Sequence, residues 1–527
     1  MADASRFPLE TRCRLSRSIL WRLQRRFYER HGMAAWGDGV LPHHASSNPY
    51  LARAYGRVVL GFLRDWHERL DPSQPLYIIE LGAGSGRLAF HFLRHFERLI
   101  AGSVFPSVAF RYVMTDFAEN NLAAWRAHPS LGPWIDAGRL EFARFDAERD
   151  EPIALERSGA TLSPGTVRNP VVAIANYVFD SLPVDGFSLE NGQLAEWVVR
   201  LCSPRPDSDL DDPDILARAK LTIERSPLES AAYYGNAALD RILEDYRSRL
   251  SDTAFTFPTA SLACLSRLSE LAGGRLLVLS TDKGDAREEA LRGQVGPNLT
   301  LHGSCFSIAV NYDALARFVG HAGGEALVCA ERPHAVTSCA FLLGAPPGGY
   351  VETRQAHAEA LDAQTPDDWC SLTQSMELAY ETLSLDRWIA YLRFTEHDPK
   401  ILADALPFLL PLVGGASAAE RAELVRVLVR TWDGYFHIGE AEDLGSALGT
   451  LASTMEAWPE AIRFFEGSLR WYGRNPSTLV DLARCHHELG QLAIARALVD
   501  EAVAIDPACE PAIAQRLGIA ANRPGAG

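Results

Sequence analysis

The run Tyr77-Ile78-Ile79 ends in a carboxylate, Glu80, and three glycines follow at alternate positions, Gly82, Gly84 and Gly86. In open α/β sheets, ligands lie beyond the carboxyl ends of the strands. Glycine there allows positive φ and lets a ligand approach the backbone. From Arg87 onward the chain reads as a helix, whose first N–H groups are unpaired and carry partial positive charge. The dinucleotide pattern G-x-G-x-x-G fails here, because Arg87 stands at its sixth position. Glu80 would also repel a pyrophosphate, whereas it suits a cation. S-adenosylmethionine (SAM) carries an ammonium and a sulfonium. The expectation is that Glu80 holds its amino-acid end and that Gly82, Ala83, Gly84 and Gly86 form the turn against which it lies. A charge-assisted hydrogen bond of this kind contributes about 1.5–3 kcal/mol.

Further polar residues stand at the ends of further apolar runs. Asp116 follows Phe110–Thr115 and is placed to accept hydrogen bonds from ribose hydroxyls, or to cap the helix that begins near Ala118. Asp146 follows Leu140–Phe145 and could meet the adenine amino group or simply close a turn. The run Val171–Ala175 leads into Asn176-Tyr177-Val178-Phe179-Asp180-Ser181-Leu182-Pro183-Val184-Asp185. The end of this fourth strand belongs beside the methyl group. Methyl transfer is an in-line displacement, so catalysis is largely positioning. Asn176, also expected to border the cofactor, would orient an acceptor nitrogen. Asp180 and Asp185 would pair with a cationic acceptor. His43-His44 reads as a solvated loop pair.

These residues need a frame. Ser16–His31 and Pro49–Trp66 have apolar residues at helical spacing and are expected to form a lid. Five parallel strands follow, ending with Arg275–Thr281. Asn191-Gly192 marks a hairpin between Phe187–Glu190 and Gln193–Leu201. Asp214–Leu221 and Leu228–Leu250 read as helices, and His302–Ala309 as a loop over the ligand edge. Gly324–Cys329 and Val336–Leu343 form a last antiparallel pair. Pro346-Pro347-Gly348-Gly349 breaks the chain. Beyond Leu378 only helical patterns remain, with a period of about 34 residues that pairs Gly449 with Ala483, Ala461 with Ala495 and Leu469 with Val503. The expected division is a helical lid segment over 1–70, a SAM-binding α/β domain over 71–346 with a helical insertion at about 205–255, a linker over 347–374, and a helical domain resembling tetratricopeptide repeats (TPR) over 375–523. Such arrays hold peptides on a concave face, so a protein or peptide partner is expected there.

Among 527 residues the formal net charge is −16 and the pI is near 5.4. That balance argues against a general nucleic-acid binder and mildly favours cationic substrates. Nine cysteines are dispersed without CxxC or zinc spacing, so no metal site is expected and a reducing, cytoplasmic setting is. No apolar run is long enough to span a bilayer. Lys220, Lys283 and Lys400 are the only lysines, which reads as a bacterial genome bias.

Taken together, Glu80-Leu81-Gly82-Ala83-Gly84-Ser85-Gly86, the narrower run Ala175–Val184, and Val310-Asn311-Tyr312-Asp313-Ala314-Leu315 resemble the MidA-type SAM-dependent methyltransferases, relatives of the mitochondrial complex I assembly arginine methyltransferase. The resemblance spans about Ile19–Leu343. It implies a Rossmann-like class I methyltransferase domain with a mostly parallel seven-stranded sheet, here followed by an all-α repeat domain, and a protein substrate, plausibly an arginine nitrogen. The family usually has Glu directly after the asparagine, where this chain has Tyr177, which leaves Asp180 and Asp185 to orient a guanidinium. The alternatives are a small-molecule N- or O-methyltransferase and a SAM-binding repeat scaffold without chemistry.

Overall fold

The computed structural model describes residues 7–37, 47–105, 107–150, 152–207, 209–230, 232–297, 299–302, 304–329 and 336–509. His43-His44 lies outside them, as does the end of the repeat domain. The chain divides into two units, Met1–Ser371 and Leu372–Gly527.

The first unit is built on a seven-stranded sheet: β1 (Leu76–Leu81), β2 (Phe110–Asp116), β3 (Leu140–Arg144), β4 (Val171–Asn176), β5 (Leu276–Asp282), β6 (Glu325–Val328) and β7 (Thr337–Leu343). Their spatial order is β6-β7-β5-β4-β1-β2-β3. Strands β3, β2, β1, β4 and β5 run parallel, and β7 runs antiparallel to both β5 and β6. The sheet is therefore mixed. Helices cover both faces, which is why β1 is buried along its whole length and reads as a continuous apolar run. The order reverses between β1 and β4, the switch point at which such sheets bind ligands.

Three helices shape the edge above that point. Ile19–His31 (α1) is capped by Ser18, whose side chain accepts from Leu20 N. Pro49–Trp66 (α2) is capped by Asn48 with Pro49 in its first turn; caps of this type are worth about 1 kcal/mol. Arg87–Ala101 (α3) starts directly from the glycine turn.

A second, antiparallel sheet departs from the expected helical insertion and helical lid. Gln193–Ser203 is its spine: Phe7–Arg14, Lys220–Pro227 and Asp185–Glu190 pair with it, and Thr253–Phe257 joins beyond Asp185–Glu190. Within 205–255 only Ala237–Arg249 is a long helix. Lys220–Pro227 is instead an edge strand whose half-buried Leu221 and Ile223 alternate with more exposed Lys220, Thr222 and Glu224. Phe7–Arg14, expected within the lid, is likewise an edge strand. His302–Ala309 holds much of a small hairpin, Leu299–His302 paired with Cys305–Ile308.

Nor does the chain become a linker at 347. Val351–His357 is helical and packs on α2. Asp65 accepts from the backbone N–H groups of Glu352 and Thr353. Gly61 makes room, since a Cβ there would sit 2.7 Å from the Glu352 carbonyl oxygen. The Pro-Gly run is thus a turn inside the first unit.

In the second unit, Leu444–Thr454 pairs with Trp458–Tyr472, and Pro476–Glu488 with Leu492–Ile505. The small residues of the sequence period lie in the seams. Ala461, Ala483 and Ala495 are fully buried, and a Cβ on Gly449 would meet the Phe465 ring at 2.5 Å. The first turn carries Glu456 at φ 59° where the second has Gly490 at φ 73°. No helix among the described residues is long and apolar enough to cross a membrane.

Candidate active site

The glycine turn does what its spacing predicts. Gly82, Gly84 and Gly86 take φ of 54°, 53° and 78°, left-handed values that a side chain would oppose. Ala83 N donates to the Thr115 carbonyl, and the Thr115 hydroxyl donates to the Glu80 carbonyl, tying the ends of β1 and β2 together. The Trp36 ring lies over the turn, so that a Cβ on Gly84 would come within 2.8 Å of it. Tyr28 of α1 stacks on Trp36 at 6.2 Å between centroids.

Two lobes of a cleft flank this aromatic pair, and Tyr28, Trp36, Gly82, Tyr177 and Ser181 line both. The first, about 730 Å³, is polar. It holds Glu80, the glycine turn, Asn176, Asp180 and Lys283. The second, about 780 Å³, combines Asp116, Asn121 and Asp146 with the apolar Phe117, Phe145 and Val178. The sequence candidates thus separate into two groups on either side of Gly82, within one continuous sheet edge.

Glu80 is buried, and Tyr112 donates to its Oε2 at 3.0 Å. Burial pushes its carboxyl up to about 8, opposed by the Tyr112 bond and reinforced by the Asp116 charge. A cation arriving beside it would reverse that shift. Asp116 is buried too, which raises its pKa, and its oxygens accept from Gly84 N at 3.2 Å, Ala118 N at 2.9 Å and Asn121 Nδ2 at 3.0 Å. It therefore does part of the helix-start role and still borders the second lobe. Asp146 is gripped by Arg25 of α1, with Nη2 at 2.8 Å and Nη1 at 3.2 Å, and the Arg25 guanidinium stacks on Phe117.

At the end of β4, Asn176 Oδ1 accepts from the Tyr55 hydroxyl at 3.4 Å. Tyr177 adopts φ 53°, and its N–H donates to the Thr281 carbonyl on β5. Asp180 is buried against Asp282, the last residue of β5: Asp180 N donates to Asp282 Oδ2 at 3.1 Å, and Ser181 Oγ donates to Asp180 Oδ1 at 3.0 Å. Burial raises both carboxyls, and the Asp180 charge raises Asp282 further. Two such neighbours cannot both ionise freely, so they titrate as a pair. Lys283, next along the chain, favours the ionised form of Asp180.

Asp185 is different. It lines neither lobe and begins a strand of the second sheet, where it accepts from Ser16 N at 3.3 Å and the Tyr234 hydroxyl at 2.9 Å and faces Arg14 at 4.0 Å. Its placement is that of a structural anchor, because the turn after Asp180 carries the chain away from the cleft into that sheet. Conversely, Asp282, Lys283, Tyr112 and Gln24 are not among the sequence candidates. Asp282 and Lys283 directly follow the expected fifth strand, and that place at a strand end is their signal in the sequence. No cluster of three or more metal-ligating side chains occurs among the described residues.

The residues present fit SAM. A close-approach glycine turn lies between a polar lobe with a buried carboxylate and a partly apolar lobe bordered by buried Gln24 and Asn121, which carry unpaired polar atoms.

The family comparison agrees. Residues 59–303 match a family described as S-adenosyl-L-methionine-dependent methyltransferase, and residues 454–517 match a tetratricopeptide repeat. No curated protein matches the chain. Among solved structures, an uncharacterized protein from Burkholderia thailandensis is 16% identical over 63% of this chain and 87% of its own, with a TM-score of 0.40. A member of the same superfamily from that organism, bound to S-adenosylhomocysteine, is 15% identical over 63% and 88%, also at 0.40. An O-methyltransferase family protein from the same species is 10% identical over 62% and 63%, at 0.26.

Proposed function

From a SAM-dependent methyltransferase that carries a tetratricopeptide repeat, we propose an enzyme that methylates a basic nitrogen, that of arginine, on a protein recruited by its repeat unit. The observation that carries the reading is Asp180, which lines the same lobe as Glu80 and the glycine turn and is backed by the fully buried Asp282.

The cofactor supplies an electrophilic methyl group on a sulfonium and leaves as a thioether. Glu80 and the turn at 82–86 hold its amino-acid end, Asp116 its ribose, and the lobe around Phe117 and Phe145 its base. Asn176 borders the cofactor and the acceptor and presents its amide to them. The nitrogen of a guanidinium or ammonium must lose a proton before it can bond to carbon. The Asp180–Asp282 pair, sharing one proton, carries one negative charge that draws the cation in and can take its proton; general bases of this kind contribute about 10²–10⁴-fold. Tyr177, where the family usually has Glu, lines this lobe and packs an aromatic wall there in place of a further charge. Support for a protein substrate comes from the repeat, since such arrays hold peptides.

The test is transfer of labelled methyl from SAM into a cell lysate. The reading expects label in protein bands, released on hydrolysis as methylated arginine or lysine. Label confined to small molecules overturns the protein substrate, and no label overturns catalysis. Deleting Leu378 onward should reduce protein labelling while sparing SAM affinity; the reverse would rule out recruitment by the repeats.

A further inference from the structure

α1 lends one face to the second lobe: Trp21, Gln24, Arg25 and Tyr28, at helical spacing, all line it. Three of these are aromatic or ion-paired. Gln24 is neither. Its side chain is 2% exposed, yet neither Nε2 nor Oε1 has a hydrogen-bond partner among the described residues. A buried donor or acceptor left unmade costs the folded state its desolvation, and native structures seldom tolerate it without a reason. Across the same lobe, from the helix after β2, Asn121 repeats the pattern. It is 1% exposed, its Nδ2 donates to Asp116, and its Oδ1 has no partner.

Two elements therefore place three buried, unpaired polar atoms, one donor and two acceptors, on residues that border one lobe together with Phe117 and Phe145. A carboxamide offers a donor and an acceptor side by side. Adenine offers the complement on one edge, its N6 amino group beside a ring nitrogen, and glutamine pairs with it bidentately for that reason. Asp146, the sequence's candidate for the amino group, already has both oxygens in hydrogen bonds with Arg25.

Resting on the SAM reading above, we propose that Gln24 is the residue that selects adenine: Oε1 accepts from the N6 amino group, Nε2 donates to the adjacent ring nitrogen, and Asn121 Oδ1 accepts from a ribose hydroxyl. The lid helix is then a reader of the base, and the empty protein holds these amides unpaired until the nucleoside arrives.

The experiment titrates S-adenosylhomocysteine and S-inosylhomocysteine, which has a carbonyl in place of the N6 amino group, into the full-length wild type and Gln24→Leu by calorimetry. Wild type should prefer the adenosyl compound by roughly 10- to 100-fold, the discrimination expected of a bidentate pair, and Gln24→Leu should abolish the preference. With no ligand, Gln24→Leu should melt higher than wild type, because it removes two unpaired buried atoms. Asn121→Leu, which removes the ribose acceptor, should keep the base preference and lower both affinities. The proposal is overturned if Gln24→Leu keeps the preference, or if it loses affinity for both compounds equally with a lower melting temperature, the mark of a merely structural residue. If wild type binds neither compound, the cofactor reading itself has failed.

Discussion

Asp180 and Asp185 stand five positions apart in one motif, both buried, both raised in pKa by that burial and both candidates for chemistry, and they differ in their neighbours. Asp185 is surrounded by partners in the second sheet: Ser16 N, the Tyr234 hydroxyl and Arg14, which itself stacks on Tyr233 at 4.3 Å. Asp180 faces another carboxylate at the ligand edge of the first. A buried charge that is well paired holds structure together. A buried charge set beside a like charge raises the energy of the empty protein and is retained where a ligand or proton relieves it. The contrast separates the anchor from the site more sharply than the motif does.

The largest expected effect tests the Asp180 side. Asp180→Asn should cut methyl transfer by about 10²–10⁴-fold while leaving the melting temperature unchanged or higher, since it removes one of two repelling carboxyls. A large loss of stability would make Asp180 an anchor like Asp185. The mirror experiment is Asp185→Ala, which should lower stability by about 1–3 kcal/mol, the scale for leaving buried hydrogen-bond partners unpaired. It should leave S-adenosylhomocysteine affinity within about 3-fold, judged by calorimetry below the melt. Selective loss of affinity in a stable protein would move Asp185 into the site.

A subtler difference concerns pH. The Glu80 carboxyl is pushed up to about 8 in the fold against about 4.3 in an unfolded chain. The folded form thus keeps the proton that the unfolded form loses, and the contribution of Glu80 to stability is full below about pH 4.3 and fades as pH rises to 8. Glu80→Gln should therefore gain melting temperature over wild type at pH 8 and little at pH 5. An equal shift at both would contradict the buried, cation-seeking carboxyl. The smallest effect lies in the repeat unit. Glu456→Gly relieves a left-handed residue and should stabilise its helix pair by about 0.5–1 kcal/mol, read as slower hydrogen exchange over Leu444–Tyr472. No change would mean that Glu456 is held there by something other than the turn.

Much of this was legible in the chain because it is local. Glu80, the glycines and Asp116 are fixed by the strands they end, and buried parallel strands announce themselves as apolar runs. The 34-residue period exposed the repeats because small residues must recur wherever paired helices touch. What stayed hidden depends on distant pairing. Phe7–Arg14 and Lys220–Pro227 are polar edge strands whose only clear cue is their partner, Gln193–Ser203. Asp185 looked catalytic because Ser16 lies 169 residues away in the chain. Asp282 gained its meaning only when β5 was laid beside β4. Gln24 was nearer to hand: it sits on the same apolar face as Leu20 and Phe27, and a lone amide on such a face was the available signal.

The central claim is that the hollow at the switch point between β1 and β4 is built for SAM, held at its two ends by Glu80 and Asp116. Calorimetric titration of S-adenosylhomocysteine into wild type, Glu80→Ala and Asp116→Ala tests it most directly. The account predicts binding to the wild type and affinity at least about 10-fold weaker in each variant, one charge-assisted hydrogen bond or more; unchanged affinity in both variants would contradict it.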